Sequence, residues 1–297
     1  MGKAKRFGIL VATDGSAEAT AAVKATVISP WPRGASVHVV VVRTPLPVAD
    51  IAGVPAAVFT DLDRGLAAVA ESARKILAQR WPDADARVVD GPTIDAILTR
   101  AERVGARVIV LGSHGHGAIA RLLLGSISLG VVRRMKHAAL VVRGNPRGFG
   151  RVVLGLDGSP PARRTVAFLA ALEAPAGGEV TLVRVLEGVA LPSLAVMPAT
   201  ARAVLLAQVR AASDAEEKKC LREAEAAASE LRGAGWKVKT VVREGAPLDE
   251  LLAAAKSARA QLLAVGARGH GALERLLLGS VAEGALHRAP MSVLVVR

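Results

Sequence analysis

Hydrophobic runs and amphipathic stretches alternate along the whole chain. In the first half, this pattern predicts strands at 6–12, 36–42, 86–89, 107–111 and 139–143, and helices at 16–28, 60–80, 92–103 and 126–135. The second half repeats the order, with strands at 151–156, 180–185, 237–242, 261–265 and 292–296, and helices at 161–172, 201–232, 247–258 and 280–287. Continuous β-branched strands that alternate with helices are typical of a parallel sheet covered on both faces. Because such crossovers are right-handed, each half is predicted to form an open, doubly wound α/β sheet.

The second half of the chain is a copy of the first. Residues 112–143 and 266–297 align without a gap and are identical at more than half of their positions. The starts of the copies also match, with FGILVATDGS at 7–16 and GRVVLGLDGS at 150–159, and the stretch between these anchors is eleven residues longer in the second copy. A turn-rich NPRGFG segment follows the first copy, so the predicted domains are residues 1–145 and 146–297.

The composition limits the class of protein. Of 297 residues, 52% are hydrophobic and 22% charged, which is typical of a soluble globular protein with material for two cores. No apolar run approaches the ~20 residues of a membrane-spanning helix, and the apolar run after the basic start is too short for an export signal. Cys220 is the only cysteine, so no disulfide framework is expected and the sequence predicts a cytoplasmic location.

The formal net charge of +13 would suit a polyanionic partner. Lysine and arginine are nevertheless scattered, without a run of five, and the chain has no tyrosine and only 2% aromatic residues. The aromatic platforms that stack on single-stranded nucleic acid are therefore missing. We expect neither a nucleic-acid nor a membrane partner, because solubility and attraction of small phosphate compounds explain the charge.

Candidate ligand-binding residues follow the predicted strands, where ligands bind in open α/β sheets. Asp14 lies in TDGS after the first strand, and Asp157 lies in LDGS at the equivalent place in the second half. Each aspartate either caps the next helix or faces the cleft and accepts a hydrogen bond from a ligand hydroxyl, and the two roles are compatible.

Glycine-rich loops follow the fourth strand of each half, GSHGHG at 112–117 and GARGHG at 266–271. A Gly-Ser pair, separated by nine residues from Gly115 in the first loop and from Gly269 in the second, starts the next helix. Glycines let backbone amides approach a phosphate, and a serine N-cap with free amides behind it is an anion site. The loops are either tight turns or such phosphate nests, and the same spacing in both copies favours nests. The sequence lacks GxxxxGK[ST], and GxGxxG is absent after the first strand, which disfavours a Walker-type NTPase and a dinucleotide-binding domain.

These glycines form a signature, G-x2-G-x9-G-[ST], through which both halves resemble universal stress protein domains. The matching residues are Gly112, Gly115, Gly125 and Ser126, and Gly266, Gly269, Gly279 and Ser280. The DGS loops and the Gly-Pro pair at 91–92 support the resemblance. It implies a tandem of five-stranded parallel sheets in the order 3-2-1-4-5, whose final strands pair as an intramolecular pseudo-dimer that can dimerise again. The second copy has Ala-Pro before its last strand where the first has Met-Lys, which concerns only that turn.

The resemblance also implies ATP at the sheet edge, with ADP or AMP as alternatives and Mg²⁺ accompanying the phosphates. The nucleoside is then expected near Ala12, Asp14, Val42, Gly155, Asp157 and Val185. The phosphates are expected at Gly112, Ser113, His114, Gly115, His116, Gly117, Ala118, Gly125, Ser126 and Ile127, and at Gly266, Ala267, Arg268, Gly269, His270, Gly271, Ala272, Gly279, Ser280 and Val281.

Three functions remain open, and the sequence favours a nucleotide-binding sensor or regulator in a stress response. A slow ATP hydrolase is the first alternative: Arg121, Arg268 and Arg275 supply charge, but no general base is evident. A nucleotide-free interaction scaffold is the second. A zinc site built from His114, His116 and His137 is disfavoured, because Arg268 replaces His114 in the second copy and arginine is not a zinc ligand.

Overall fold

The strands and helices of the computed structural model follow the predicted order. The structure describes residues 6–45, 56–115, 124–145, 148–186, 197–269 and 278–297. The first half contains β1 (Gly8–Ala12), α1 (Ala17–Ile28), β2 (Ser36–Arg43), α2 (Ala56–Ala78), β3 (Asp85–Asp90), α3 (Thr93–Arg103), β4 (Ala106–Gly112), α4 (Ser126–Arg134) and β5 (Ala138–Val142). The second half contains β6 (Arg151–Gly155), α5 (Pro160–Ala170), β7 (Glu179–Leu186), α6 (Ala199–Gly233), β8 (Lys237–Glu244), α7 (Pro247–Ser257), β9 (Leu262–Gly266), α8 (Ser280–Arg288) and β10 (Ser292–Val296).

The strands of the described residues form one continuous sheet, in the order β3-β2-β1-β4-β5-β10-β9-β6-β7-β8. Within each half the pairs are parallel and the order is 3-2-1-4-5, so the predicted fold class is confirmed. The two sheets merge through β5 and β10, which pair antiparallel from Val141↔Val293 to Ala138↔Val296. The expected pairing of the final strands is therefore present, and each covers what would otherwise be an apolar edge.

Two hydrophobic layers lie on the two faces of this sheet, and both run through the two halves. Successive residues of β1 belong to opposite layers. Ile9 and Val11 pack with α1 and α2, while Leu10 packs with α3 and α4. Burying an aliphatic side chain of this size contributes about 1.5–3 kcal/mol, so each strand holds its helices on both sides. No helix in the described part of the chain has the length and apolarity needed to cross a membrane.

Aromatic side chains concentrate where the halves meet. Five of the seven phenylalanines and tryptophans in the sequence belong to one core layer there: Phe7, Trp31, Phe149, Phe168 and Trp236. The Phe7 ring centroid lies 6.0 Å from that of Trp31 and 5.6 Å from that of Phe168 in the other half. Backbone hydrogen bonds also cross the seam, as from the Glu173 amide to the Pro30 carbonyl at 2.8 Å. The halves therefore share a core.

The eleven extra residues of the second copy lie within helix α6. Helix α2 has 23 residues and α6 has 35, and both helices start at the same distance from the preceding strand. Eleven residues make about three helical turns, or roughly 16 Å, so the insertion lengthens the helix without rotating its buried face. Val69 of α2 and Glu223 of α6 accordingly lie against equivalent glycines, Gly15 and Gly158.

Candidate functional site

The aspartates after β1 and β6 are held in the loops but do not cap the helices. Ser16 caps α1, because its Oγ accepts a hydrogen bond from the Ala19 amide at 3.2 Å. Ser159 likewise caps α5. Asp14 Oδ1 instead accepts a hydrogen bond from the Ser16 amide at 3.0 Å, and Asp157 Oδ1 accepts one from the Ser159 amide at 2.9 Å. The helix-cap alternative for the aspartates is therefore wrong.

The fold brings each aspartate against the glycine-rich loop of its own half. A Cβ built on Gly115 would collide with Asp14 Oδ2, and one on Gly269 would lie 2.7 Å from Asp157 Oδ2. Any side chain at these two loop positions would occupy the space that the carboxylate uses. Two predicted site elements, separated by about a hundred residues of sequence in each half, are thus in contact.

The same loops also contact the start of the following helix. The Gly125 amide donates to the Ser113 carbonyl at 2.7 Å, and the Gly279 amide donates to the Ala267 carbonyl at 2.8 Å. These glycines are the N-caps of α4 and α8, so the predicted N-cap role of Ser126 and Ser280 is wrong. Both serines are exposed first residues of the helices.

The first backbone amides of α4 and α8 do not donate to carbonyls within their own helices. The first intrahelical bond runs from Leu129 N to the Gly125 carbonyl at 3.0 Å, and its counterpart in α8 runs from Glu283 N to the Gly279 carbonyl at 2.9 Å. The amides before Leu129 and Glu283 carry the partial positive charge of a helix N-terminus. This end of the helix can therefore bind an anion beside the aspartate.

The first glycine of each signature has a packing role that the sequence did not predict. A Cβ on Gly112 would lie 2.8 Å from the backbone carbon of Glu18, and one on Gly266 would lie 2.9 Å from the Ala162 amide nitrogen. Helices α1 and α5 thus cross directly over these glycines. Close helix packing requires Gly112 and Gly266, whatever ligand the loop holds.

The remaining predicted site residues differ in accessibility. Ala12, Ser113 and Ala267 are buried, Gly155, Val42, Val185 and Val281 are half-buried, and Ile127 is exposed. Val42 and Val185 are the penultimate residues of β2 and β7, the strands beside β1 and β6, at the predicted edge. The predicted residues His116, Gly117, Ala118, His270, Gly271 and Ala272 lie outside the described residues, as do Arg121 and Arg275.

Sequence reasoning missed several neighbours of the loops. The Ser128 hydroxyl donates to the Gly112 carbonyl at 2.8 Å, and His114 Nε2 lies 3.9 Å from Glu18 Oε1. In the second half, the guanidinium groups of Arg163 and Arg184 donate to the carbonyls of Gly158 and Leu156. Aligning the two copies over their whole length would show that these positions carry different residues in the two halves. Only the fold shows that they surround the loops.

The described side chains do not form a metal-binding cluster. Within these residues, no three histidine, cysteine, aspartate or glutamate side chains come together in a way that could hold an ion. His137 lies at the seam, where its carbonyl accepts a hydrogen bond from the Arg297 amide at 2.7 Å. His116 is outside the described residues, so the interpretation against a zinc site stays a prediction.

The fold and the repeated glycine loops define a tandem, doubly wound α/β protein with one candidate anion site in each half. Both copies match the universal stress protein family model, over residues 7–143 and 148–297. A universal stress protein of Mycobacterium tuberculosis is 30% identical over 99% of this chain and 98% of that protein, and one of Mycolicibacterium smegmatis is 28% identical over 99% and 98%. The chain belongs to the universal stress protein family. The crystal structure of a universal stress protein from Archaeoglobus fulgidus shares the fold, covering 97% of both chains with a TM-score of 0.66 at 20% identity.

Proposed function

We propose that this protein binds an adenine nucleotide, with ATP as the first candidate, at the carboxyl edge of each half, and acts as a cytoplasmic nucleotide-dependent regulator in a stress response. One observation carries the proposal. In both halves, an aspartate, a glycine-rich turn and a helix N-terminus meet at one point of the sheet edge.

The helix end and the glycine turn suit the phosphates. The turn continues the strand directly into the space before α4 or α8, where Gly125 and Gly279 are tied back to it by hydrogen bonds. Backbone amides at such a place donate to phosphate oxygens, and the helix dipole favours negative charge. The serines at the helix start, Ser126 and Ser280, are exposed and add a hydroxyl donor.

The aspartates suit the nucleoside. Each has one carboxylate oxygen held by a loop amide, and the other oxygen lies next to the glycine turn. A carboxylate fixed in this way accepts hydrogen bonds from ribose hydroxyls. A Mg²⁺ ion that arrives with the phosphates fits a carboxylate neighbour, since carboxylate and phosphate oxygens are its preferred ligands.

The aspartate, the glycine turn and the helix N-terminus favour nucleotide binding over rapid hydrolysis. A hydrolase must position a water molecule and stabilise charge on the transferred phosphoryl group. The contacts of Asp14 and Asp157 hold the loop in place, which is what a binding site needs. Phosphate release, measured in parallel with binding, separates a sensor from a slow hydrolase.

A glutamate at the start of α4 or α8 tests the proposal. Ser126→Glu and Ser280→Glu place a carboxylate where the phosphates would bind, whereas a helix N-terminus tolerates glutamate or gains about 0.3–1 kcal/mol from it. The matched control is Ser229→Glu, also exposed, near the far end of α6 and at the opposite edge of the sheet. All three variants are expected to melt like the original protein.

Isothermal titration with ATP then counts the sites. We expect two sites of full affinity in the original protein and in Ser229→Glu, one in each single variant and none in the double variant, because repulsion weakens binding at each changed site by at least about tenfold. Mass spectrometry of nucleotide released from the purified protein identifies the natural ligand. The proposal fails if ATP, ADP and AMP all give no heat and no nucleotide is released, or if the double variant binds like the original.

A further inference from the structure

The two candidate sites repeat the same backbone but differ in charge around the glycine turn. Arg268 occupies the position of His114, and the Ser159 hydroxyl at the start of α5 donates to its carbonyl at 3.2 Å. In the first half, the turn instead faces an acid, with Glu18 Oε1 3.9 Å from His114 Nε2. Pro161 stands at the equivalent place in the second half. The second turn therefore carries a guanidinium group where the first carries an imidazole, and α5 has no acidic residue in its sequence.

The loop that holds the aspartate shows the same contrast. In the second half, Arg163 donates to the Gly158 carbonyl, and Arg184 Nη1 donates to the Leu156 carbonyl at 3.4 Å. Two guanidinium groups therefore flank the Asp157 loop. The equivalent residues of the first half are Thr20 and Val41, which carry no charge.

Acidic residues reduce this difference without cancelling it. Glu223 lies against Gly158, where the first half has Val69. Glu283, in the first turn of α8, is paired across the seam with Arg133, whose Nη2 lies 2.5 Å from its carboxylate. At these compared positions, the first half has two carboxylates and an imidazole, whereas the second half has two carboxylates, three guanidinium groups and the paired Glu283. Outside the described residues, the sequences differ by one further acid in the second half, Glu274.

Two positively charged side chains, Arg268 and Arg297, also influence each other at the second site. Burial, and then the nearby positive charge of Arg268, lower the pKa of Arg297. The equivalent residue of the first half, Arg143, has its pKa lowered by burial alone. An anion bound near both of these positive charges is attracted by each of them.

We infer that the two sites select nucleotides of different charge: the second half favours a nucleoside polyphosphate over a monophosphate far more strongly than the first half does. This inference rests on the proposed function. ATP carries more negative charge than AMP, so each added phosphate increases the binding free energy more at the arginine-rich site. Salt screens this electrostatic attraction and therefore reduces the difference.

Single-site proteins make the comparison. Ser280→Glu keeps the first site and Ser126→Glu keeps the second, and each is titrated with ATP and AMP in magnesium-free buffer at low and high salt. We expect the ATP-to-AMP affinity ratio to be at least about tenfold larger at the second site, and to fall more steeply with salt there.

Exchanging the residues tests the cause. Arg163→Thr, Arg184→Val and Arg268→His together give the second site the residues of the first at these three positions. Thr20→Arg with His114→Arg gives the first site two of the three arginines, because Val41, the counterpart of Arg184, is buried. We expect the first exchange to remove the ATP preference and the second to create one. Arg151→Thr removes an exposed charge at the opposite end of β6 and should leave both ratios unchanged.

The possible results are distinct. If both single-site proteins bind nucleotide with ATP-to-AMP ratios within about twofold of each other, or if the first site has the larger ratio, this inference is wrong and nucleotide binding stands. It is also wrong if melting curves show folded exchange variants that keep their original ratios. If neither single-site protein binds any nucleotide although the original protein does, the glutamate variants have failed as tools, and the exchange variants titrated in the original background decide. If the original protein binds none, the proposed function itself is refuted.

Discussion

Replacing Gly112 and Gly115 by alanine, one at a time, separates a glycine that the fold requires from one that the ligand site requires. At Gly112 the new Cβ would lie 2.8 Å from the Glu18 backbone carbon and 2.9 Å from the Ala19 nitrogen. Carbon atoms prefer about 3.5–4.0 Å, so the start of α1 must move by roughly half an ångström or more. Buried residues such as Ala22 and Val23 hold this helix in the core.

The expected cost of Gly112→Ala is that of overpacking, about 1–3 kcal/mol. For a chain of this size, each kcal/mol lowers the melting temperature by about 2 °C, so we expect a decrease of roughly 2–6 °C. Gly115→Ala is different, because among the described residues its Cβ meets the exposed Asp14 carboxylate, which can rotate away. If the carboxylate moves, the fold loses the hydrogen bond from Ser16, which contributes about 0.5–1.5 kcal/mol.

Binding should show the opposite order. In the Ser280→Glu background, which keeps only the first site, displacement of Asp14 by Gly115→Ala should weaken ATP by about tenfold or more, since a charge-assisted hydrogen bond contributes about 1.5–3 kcal/mol. Thermal melting by circular dichroism and titration calorimetry measure the two effects on the same samples. Gly266→Ala and Gly269→Ala repeat the comparison in the second half. The reasoning is refuted if Gly112→Ala melts like the original protein, or if folded Gly115→Ala binds ATP with unchanged affinity.

Two further predictions follow from the seam and from the surface. Leu294→Ala, in the core shared by both halves, should lower stability by about 2–5 kcal/mol while unfolding stays a single transition, and two separated calorimetric transitions would contradict a shared core. Arg43 hydrogen-bonds Asp90 and holds the pKa of that carboxyl below its usual value, so any stabilisation is present above the ordinary carboxyl pKa and is lost as pH falls through the lowered one. Arg43→Ala should return the Asp90 titration, followed by NMR, to higher pH; an unmoved midpoint would exclude this pairing in solution.

Much of the fold follows from local pattern. The strand cores are aliphatic on both faces, as in β1, where all five residues from Gly8 to Ala12 are buried. Such a run needs helices on both faces of the sheet. The internal repeat then predicts that the chain contains two such domains. The apolar final strands predict that the halves join there. A leucine within a predicted helix is not always buried: Leu62, near the start of the helix predicted at 60–80, is 41% exposed.

The site was harder to predict because its roles depend on contacts between distant segments. A sequence cannot distinguish an aspartate that caps a helix from one that accepts a bond from the capping serine, two residues away. It also cannot show that Gly112 is required by α1, since that requirement comes from a helix backbone about a hundred residues earlier. Glycine motifs therefore mix packing and binding roles, and only a structure assigns them.

The charge difference between the sites has a physical basis in how the halves are joined. The shared core lies at the seam, along β5 and β10, whereas Arg163, Arg184 and Arg268 are exposed or half-buried at the sheet edge of the second half. Substitutions at such positions typically change stability by less than about 0.5 kcal/mol. The backbone that forms the glycine turn depends instead on Gly266 and on buried helix contacts, which both halves keep. Duplication thus fixes the geometry of both sites while leaving their charge free to differ, so a ligand preference that differs between the halves needs no change in fold.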